Sequence, residues 1–179
     1  MGSNKTKSMF ISDTHFGHEN ILKFRTRFSS IEEHDAFICD NILSVCNNKT
    51  TLYILGDVVI HKQSLHFLKL ICDNVGYVRI IAGNHDCERS YSPSVMDLFD
   101  AGISSFRGLQ SYKDCWLSHA PVHPNEFYRK NLNIHGHMHE KHIMLDENNR
   151  DPMYCNVSCE AVDYTPIKYE EILKRCGKL

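Results

Sequence analysis

Short apolar runs alternate with longer amphipathic stretches along this chain. Residues 8–12 (SMFIS), 51–55 (TLYIL) and 76–82 (GYVRIIA) are compact apolar runs closed by polar residues or glycine, the pattern of buried strands. Between them, residues 19–28 and 62–73 have helical spacing. Residues 31–46 place Ile31, Ala36, Phe37, Ile38, Ile42, Leu43 and Val45 on one broad face. Ser30 and Glu33 form a capping-box signature ahead of that helix, and Asn47 and Asn48 stop it. A short helix is expected over 94–99.

The second half reads mostly as strands. Residues 109–112 and 115–118 flank a turn at Lys113 and Asp114, which predicts a hairpin. Further strands are expected over 131–135, 143–146 and 153–157, the last two around an Asn/Asp-rich turn. Residues 167–175 read as a closing helix, with Pro166 at a favoured starting position. The order βαβαβ followed by strands predicts an α/β layered domain, with sheet in the middle and helices outside. Sites in such folds gather on loops beyond the carboxyl ends of the strands. A length of 179 residues suits a single domain, read here as 8–179 after a disordered leader or tag remnant at 1–7.

Composition narrows the function classes. Hydrophobic residues at 42% and charged residues at 23% argue for a packed core. A net charge of −2 supplies no basic field, so no long nucleic acid is expected as a partner. No apolar run approaches a membrane span or a secretory signal. The opening Met-Gly-Ser-Asn-Lys-Thr fits an N-myristoylation pattern. One such chain binds membranes only marginally, so no stable membrane association is expected. Eight cysteines without a CxxC pair, several inside apolar patterns, read as reduced thiols and a cytoplasmic setting.

Histidine changes the picture. There are 12, against 9 Gly and 5 Pro. Their positions matter more than their number. Asp13, Thr14 and His15 follow the first strand, Gly56 and Asp57 the second, and Gly83, Asn84, His85 and Asp86 the third. His119 follows the strand at 115–118, and Gly136, His137, Met138 and His139 follow the one at 131–135. Residues two apart, such as Asp13 and His15 or His137 and His139, leave a strand on the same side. The glycines before Asp57, Asn84 and His137 allow tight turns. Carboxylate and amide oxygens mixed with imidazoles suit Mn, Fe or Zn better than Ca. Seven ligand-type residues exceed the needs of one ion and suit two ions sharing a carboxylate.

The ordered set D-x-H, G-D, G-N-H-D, H, G-H-x-H resembles the calcineurin-like metallophosphoesterase family, and in particular its small single-domain bacterial and phage members. The resemblance runs from Asp13 to His139 with no element missing. It implies a four-layer α/β/β/α sandwich with a dinuclear centre. It further implies that Asp13, His15, Asp57 and His139 hold one ion and that Asp57, Asn84, His119 and His137 hold the other, with Asp57 bridging. His85 would stay off the metals and face the scissile phosphate, steadied by Asp86. Two divalent ions, with Mn2+ the first choice and Fe, Zn, Ni or Mg as alternatives, would generate a bridging hydroxide and clamp the phosphoryl oxygens.

Residues near the motifs are candidates for the rim. His18 and His123 lie within five residues of a motif histidine and are expected to touch substrate or a ligand's partner. Arg25 is a candidate anion anchor, and Phe16, Phe127 and Tyr128 are candidates to stack on a base. The substrate expected is a small phosphodiester, such as a nucleotide or cyclic nucleotide. A phosphomonoester is the runner-up, and a non-catalytic metal-binding scaffold is the alternative of a different class.

Overall fold

The apolar runs of the first half pair in parallel. In the computed structural model, which describes residues 7–179, β1 (Lys7–Ile11), β2 (Thr50–Ile54) and β3 (Tyr77–Ile81) lie side by side. An edge strand β4 (Ser105–Arg107), not foreseen from the sequence, joins β3 in parallel. All five residues of β2 are buried, which is why its run is apolar throughout rather than alternating. The second sheet contains β5 (Gln110–Tyr112), β6 (Cys115–Leu117), β7 (Leu132–His135) and β8 (Tyr154–Asn156), in that order. β5 and β6 form the expected antiparallel hairpin, while β6, β7 and β8 are parallel.

Helices α1 (Ile31–Val45), α2 (Leu65–Asn74) and α3 (Val95–Asp100) come from the first half of the chain. Ile38, Cys39 and Ile42 of α1 and Leu68 and Ile71 of α2 share one core with Met9, Ile11, Leu52 and Ile54. The Phe10 ring stacks on Tyr53 at 5.1 Å and meets Tyr112 of the second sheet edge-on at 5.3 Å. The architecture is two sheets flanked by helices, as the family resemblance implied.

Local corrections have physical causes. Residues 167–175 are not all helix. β9 (Ile167–Lys168) pairs antiparallel with β1 at the sheet edge, and α4 (Tyr169–Arg175) starts after it, so Pro166 precedes a strand. Only Glu19–Lys23 of the expected helix at 19–28 forms, as a 3-10 turn, because the chain swings Arg25 into the interior. No strand forms at 143–146, where Met144 and Leu145 are exposed and a single bridge joins Met144 to Arg150. The amide of Glu33 donates to Ser30 Oγ at 3.2 Å, but the Glu33 carboxylate accepts from Ser29 instead of closing the box. The reciprocal box occurs at Ser94 and Asp97 of α3. Lys7 already pairs with Thr50, and the acylation pattern in residues 1–6 lies outside the described residues. No helix among the described residues is long and apolar enough to cross a membrane.

The strand ends meet at one place. Ser12 N–H donates to Val157 O at 2.8 Å and Cys159 N–H donates to Ser12 O at 3.0 Å, which joins the end of β1 to the end of β8. Leu55 N–H donates to Ile11 O, and Gly136 N–H to His119 O, both at 2.9 Å. The polar residues beyond these ends therefore converge on one surface.

Candidate metal centre

Five of these residues arrive in a strained backbone. Asp13 (φ 58°), His15 (52°), Asp57 (53°), His137 (67°) and His139 (51°) all occupy the left-handed region. Such a conformation is uncommon outside glycine and persists only where surroundings enforce it. Here the enforcement is loop-to-loop hydrogen bonding. Asp13 N–H donates to Gly56 O at 3.0 Å and His15 N–H to Asp57 O at 2.9 Å. His137 N–H donates to Asp13 Oδ2 and His85 N–H to Asp57 Oδ1, both at 2.9 Å.

The glycines serve two ends. Gly56 has φ 91°, so its freedom is needed for the turn. Gly83 and Gly136 are needed because a Cβ has no room: on Gly83 it would overlap the Asp57 carboxylate, and on Gly136 it would overlap Ser12 Oγ and Asp13 Oδ2.

Two groups of donor atoms result. Asp13, His15 and His139 offer atoms all within 4.8 Å of one another, and so do Asp13, Asp57 and His119. His15 Nε2 lies 3.9 Å from Asp13 Oδ1 and 3.8 Å from Asp57 Oδ2. These separations are too long for hydrogen bonds. They suit donors about 2.0–2.2 Å from a common ion, which sit roughly 3–4 Å apart. Asp13 Oδ1 and His15 Nε2 are both buried without a hydrogen-bond partner. A buried carboxylate oxygen facing an imidazole lone pair is costly unless a cation joins them.

The second group extends outward. His119 Nε2 is 3.3 Å from Asp57 Oδ2 and 2.9 Å from Asn84 Oδ1. His137 Nδ1 is 3.0 Å from Asn84 Oδ1 and 3.2 Å from His119 Nε2. Asp13 belongs to both compact triplets. A single oxygen of Asp57, however, faces both His15 and His119, which makes Asp57 the better placed carboxylate to bridge. All seven candidate ligands thus lie in one continuous cluster, and its donor chemistry fits two divalent cations.

Titration in the ion-free protein follows the same charges. Burial, reinforced by Arg25, pushes His15 well below the ordinary histidine value, so it is neutral. Burial also opposes charging His119, but the hydrogen bond to Asp57 and the Asp13 charge raise it to about 9. A proton thus occupies His119 where a cation would otherwise meet it. Burial would raise Asp57, but its hydrogen bond with His119 outweighs that and holds it below the usual carboxylate range.

The other ring nitrogens have orienting partners. His119 Nδ1–H donates to Leu55 O at 2.8 Å, so once an ion displaces the second proton Nε2 would present its lone pair to the cluster. His15 Nδ1 is 3.1 Å from His18 Nδ1. For His15 to present Nε2 to an ion, its Nδ1–H must donate to His18. His18 therefore joins the site as a partner of a candidate ligand, beside His85, whose ring centre is 6.3 Å away.

Three expectations change. Asp86 does not hold the His85 ring. Its carboxylate accepts from the amides of Asp57 (3.0 Å), Val58 (2.9 Å) and Gly83 (2.8 Å), so it fastens the Asp57 turn to the G-N-H-D loop. The His85 ring instead donates from Nδ1 to Glu88 Oε2 at 2.9 Å, leaving Nε2 for a substrate. Arg25 is not an anion anchor, because it is 2% exposed and its guanidinium is fully engaged inside. It bonds Glu160 Oε1 (2.8 Å), Asp13 O (2.7 Å) and His34 Nε2 (2.7 Å). His123 is exposed, and its Nδ1 caps a 3-10 turn by accepting from Asn125 N–H at 3.2 Å. Of the candidate stacking rings, Phe16 and Phe127 are core, and only Tyr128 is exposed.

Glu160 and Glu88 were not found from the sequence. Neither stands in a motif; Glu88 reaches His85 from three residues along the chain, and Glu160 reaches His139 from 21 residues away.

Comparison with known proteins shows the family and the fold. The profile of the calcineurin-like phosphoesterase family matches residues 6–165. The uncharacterized protein MJ1445 of Methanocaldococcus jannaschii is 32% identical over 185 residues, covering 96% of this chain and 92% of the relative. The Gene 66 protein of Mycobacterium phage L5 is 37% identical over 83 residues, covering 45% and 40%. The crystal structure of AQ665, a protein of unknown function from Aquifex aeolicus, superposes with a TM-score of 0.66 at 25% identity, covering 94% of this chain and 98% of that one.

Proposed function

This chain belongs to the calcineurin-like phosphoesterase family and is a metal-dependent phosphoesterase, and from that premise we propose that it hydrolyses a small phosphodiester, a nucleotide or cyclic nucleotide. The observation that carries the reading is one Asp57 oxygen lying 3.8 Å from His15 Nε2 and 3.3 Å from His119 Nε2, between the two donor groups. Asp13, His15, Asp57 and His139 would hold one divalent ion, and Asp57, Asn84, His119 and His137 the other, with Mn2+ the first choice. Bound there, the two cations supply an activated water and neutralise the phosphoryl oxygens.

The protein's own groups do the rest. As an imidazolium, with Nδ1–H on Glu88, His85 directs Nε2–H toward the leaving oxygen and gives it that proton as the phosphorus–oxygen bond breaks. Glu88 fixes that ring through Nδ1. With His15 donating into its Nδ1, His18 presents an Nε2–H donor toward a phosphoryl oxygen. Asn84 and His137 are exposed, which supports a site open enough for a substituent on each side of a diester. Eight free thiols, six of them buried, support a reducing, cytoplasmic setting.

The test compares hydrolysis of bis-p-nitrophenyl phosphate and p-nitrophenyl phosphate by Mn2+-loaded protein. Faster turnover of the diester is expected. Strong monoesterase activity with negligible diesterase activity would replace the diester reading with the phosphomonoester one.

A further inference from the structure

We propose that Glu160, held by Arg25, is a positioning residue that fixes the tautomer of His139 and thereby sets the affinity of one ion position only. The inference rests on reading Asp13, His15 and His139 as ligands of one ion. His139 Nδ1 lies 3.0 Å from Glu160 Oε1. A carboxylate accepts, so Nδ1 carries the hydrogen and Nε2 keeps its lone pair for the cluster. The same Oε1 accepts from Arg25 Nε at 2.8 Å. Glu160 is largely buried and Arg25 wholly so, which removes most solvent competition for both bonds.

Arg25 extends the effect to the other ligands of that ion. Its Nη2 donates to the carbonyl of Asp13 at 2.7 Å, in the turn where Asp13 and His15 have positive φ. Its Nη1 donates to His34 Nε2 at 2.7 Å; His34 Nδ1–H then donates to Asp35 Oδ1 at 2.8 Å, and Asp35 Oδ2 accepts Gly17 N–H, also at 2.8 Å. One connected buried network therefore fastens both ends of the segment 13–17 and, through Glu160, the distant His139. Of the other ion's two histidines, His119 has its ring oriented by a neutral backbone carbonyl rather than by this network. Nothing in the local sequence around Cys159, Glu160 and Ala161 marks this role.

The experiment is Mn2+ binding to wild type and Glu160→Gln by calorimetry, with electron paramagnetic resonance to distinguish a coupled ion pair from a single ion. In Glu160→Gln, one ion should bind with wild-type affinity and the other about 10–100-fold more weakly, with the coupled signal replaced by a single-ion signal at limiting Mn2+. Two ions bound with wild-type affinities would overturn the proposal. Because the variant could fail to fold, a second measurement uses wild type loaded with diamagnetic Zn2+ and labelled with 15N-histidine. A hydrogen on Nδ1 of His139, assigned with His139→Gln, is expected, and a hydrogen on Nε2 would refute the proposal. If wild type itself binds fewer than two ions, the dinuclear reading beneath it fails, whatever Glu160→Gln does.

Discussion

The Asp13, His15 and His139 side of the centre is deep and braced by a buried ion pair, whereas the Asn84, His119 and His137 side is shallow at Asn84 and His137, with only His119 buried. Asp13 and His15 are buried, and His139 is tied to a buried ion pair. Asn84 and His137 are exposed, and the orienting partner of His119 is the carbonyl of Leu55. The difference teaches that two ion positions built from similar residues need not be equivalent. Buried charged bonds fix donors more rigidly than exposed neutral ones. The deep side is suited to retaining an ion, and the shallow side to exchanging ligands and admitting substrate.

The largest expected effect removes the contrast altogether. Asp57 faces both sides, so Asp57→Asn should lose both ions together and lower turnover by roughly 10³-fold or more. Metal analysis beside kinetics checks this, and retention of one tightly held ion would show that the sides do not share Asp57.

Next comes the brace itself. Replacing Arg25 by Met leaves Glu160 buried without its cation and should cost about 3–5 kcal/mol in the metal-free protein, measured by denaturant unfolding in chelator. In wild type, the depressed Glu160 pKa contributes stability above its ordinary value of 4.5, and that contribution is lost as pH falls toward about 2. Wild type should therefore lose a few kcal/mol of stability over that acid range, and the Arg25→Met variant distinctly less. Parallel acid profiles would place the ion pair outside the stability of the deep side.

The smallest effect is the most direct comparison. Graded chelation should empty the shallow side first, with affinities differing by about tenfold, equivalent to about 1.4 kcal/mol. His137→Ala should then keep the tighter ion, and His139→Ala only the weaker one. Equal release from both sides would remove the contrast.

The strand ends were legible because the chemistry there is local. A buried strand shows as an apolar run, and the Asp, Asn and His beyond it are adjacent in sequence. Even the need for glycine at 83 and 136 was visible, although its cause is close packing against Asp57, Ser12 and Asp13 rather than a tight turn. β9 was hidden because two residues carry no periodicity. Arg25 was misjudged because a sequence shows a cation but not its direction. Glu160 reaches Arg25 across 135 positions and Glu88 reaches His85 across only three, yet both were missed. A lone carboxylate announces nothing until its partner is in place.

The left-handed turns at Asp13, His15, Asp57, His137 and His139 have a consequence beyond the rate of reaction. Each costs about 1–3 kcal/mol, a load carried by the folded chain whether or not an ion is bound. An ion that binds only the folded chain offsets that load by mass action. Metal supply thus governs how long each molecule survives proteolysis and misfolding. A cell short of the ion would hold fewer copies of the protein, and not merely slower ones.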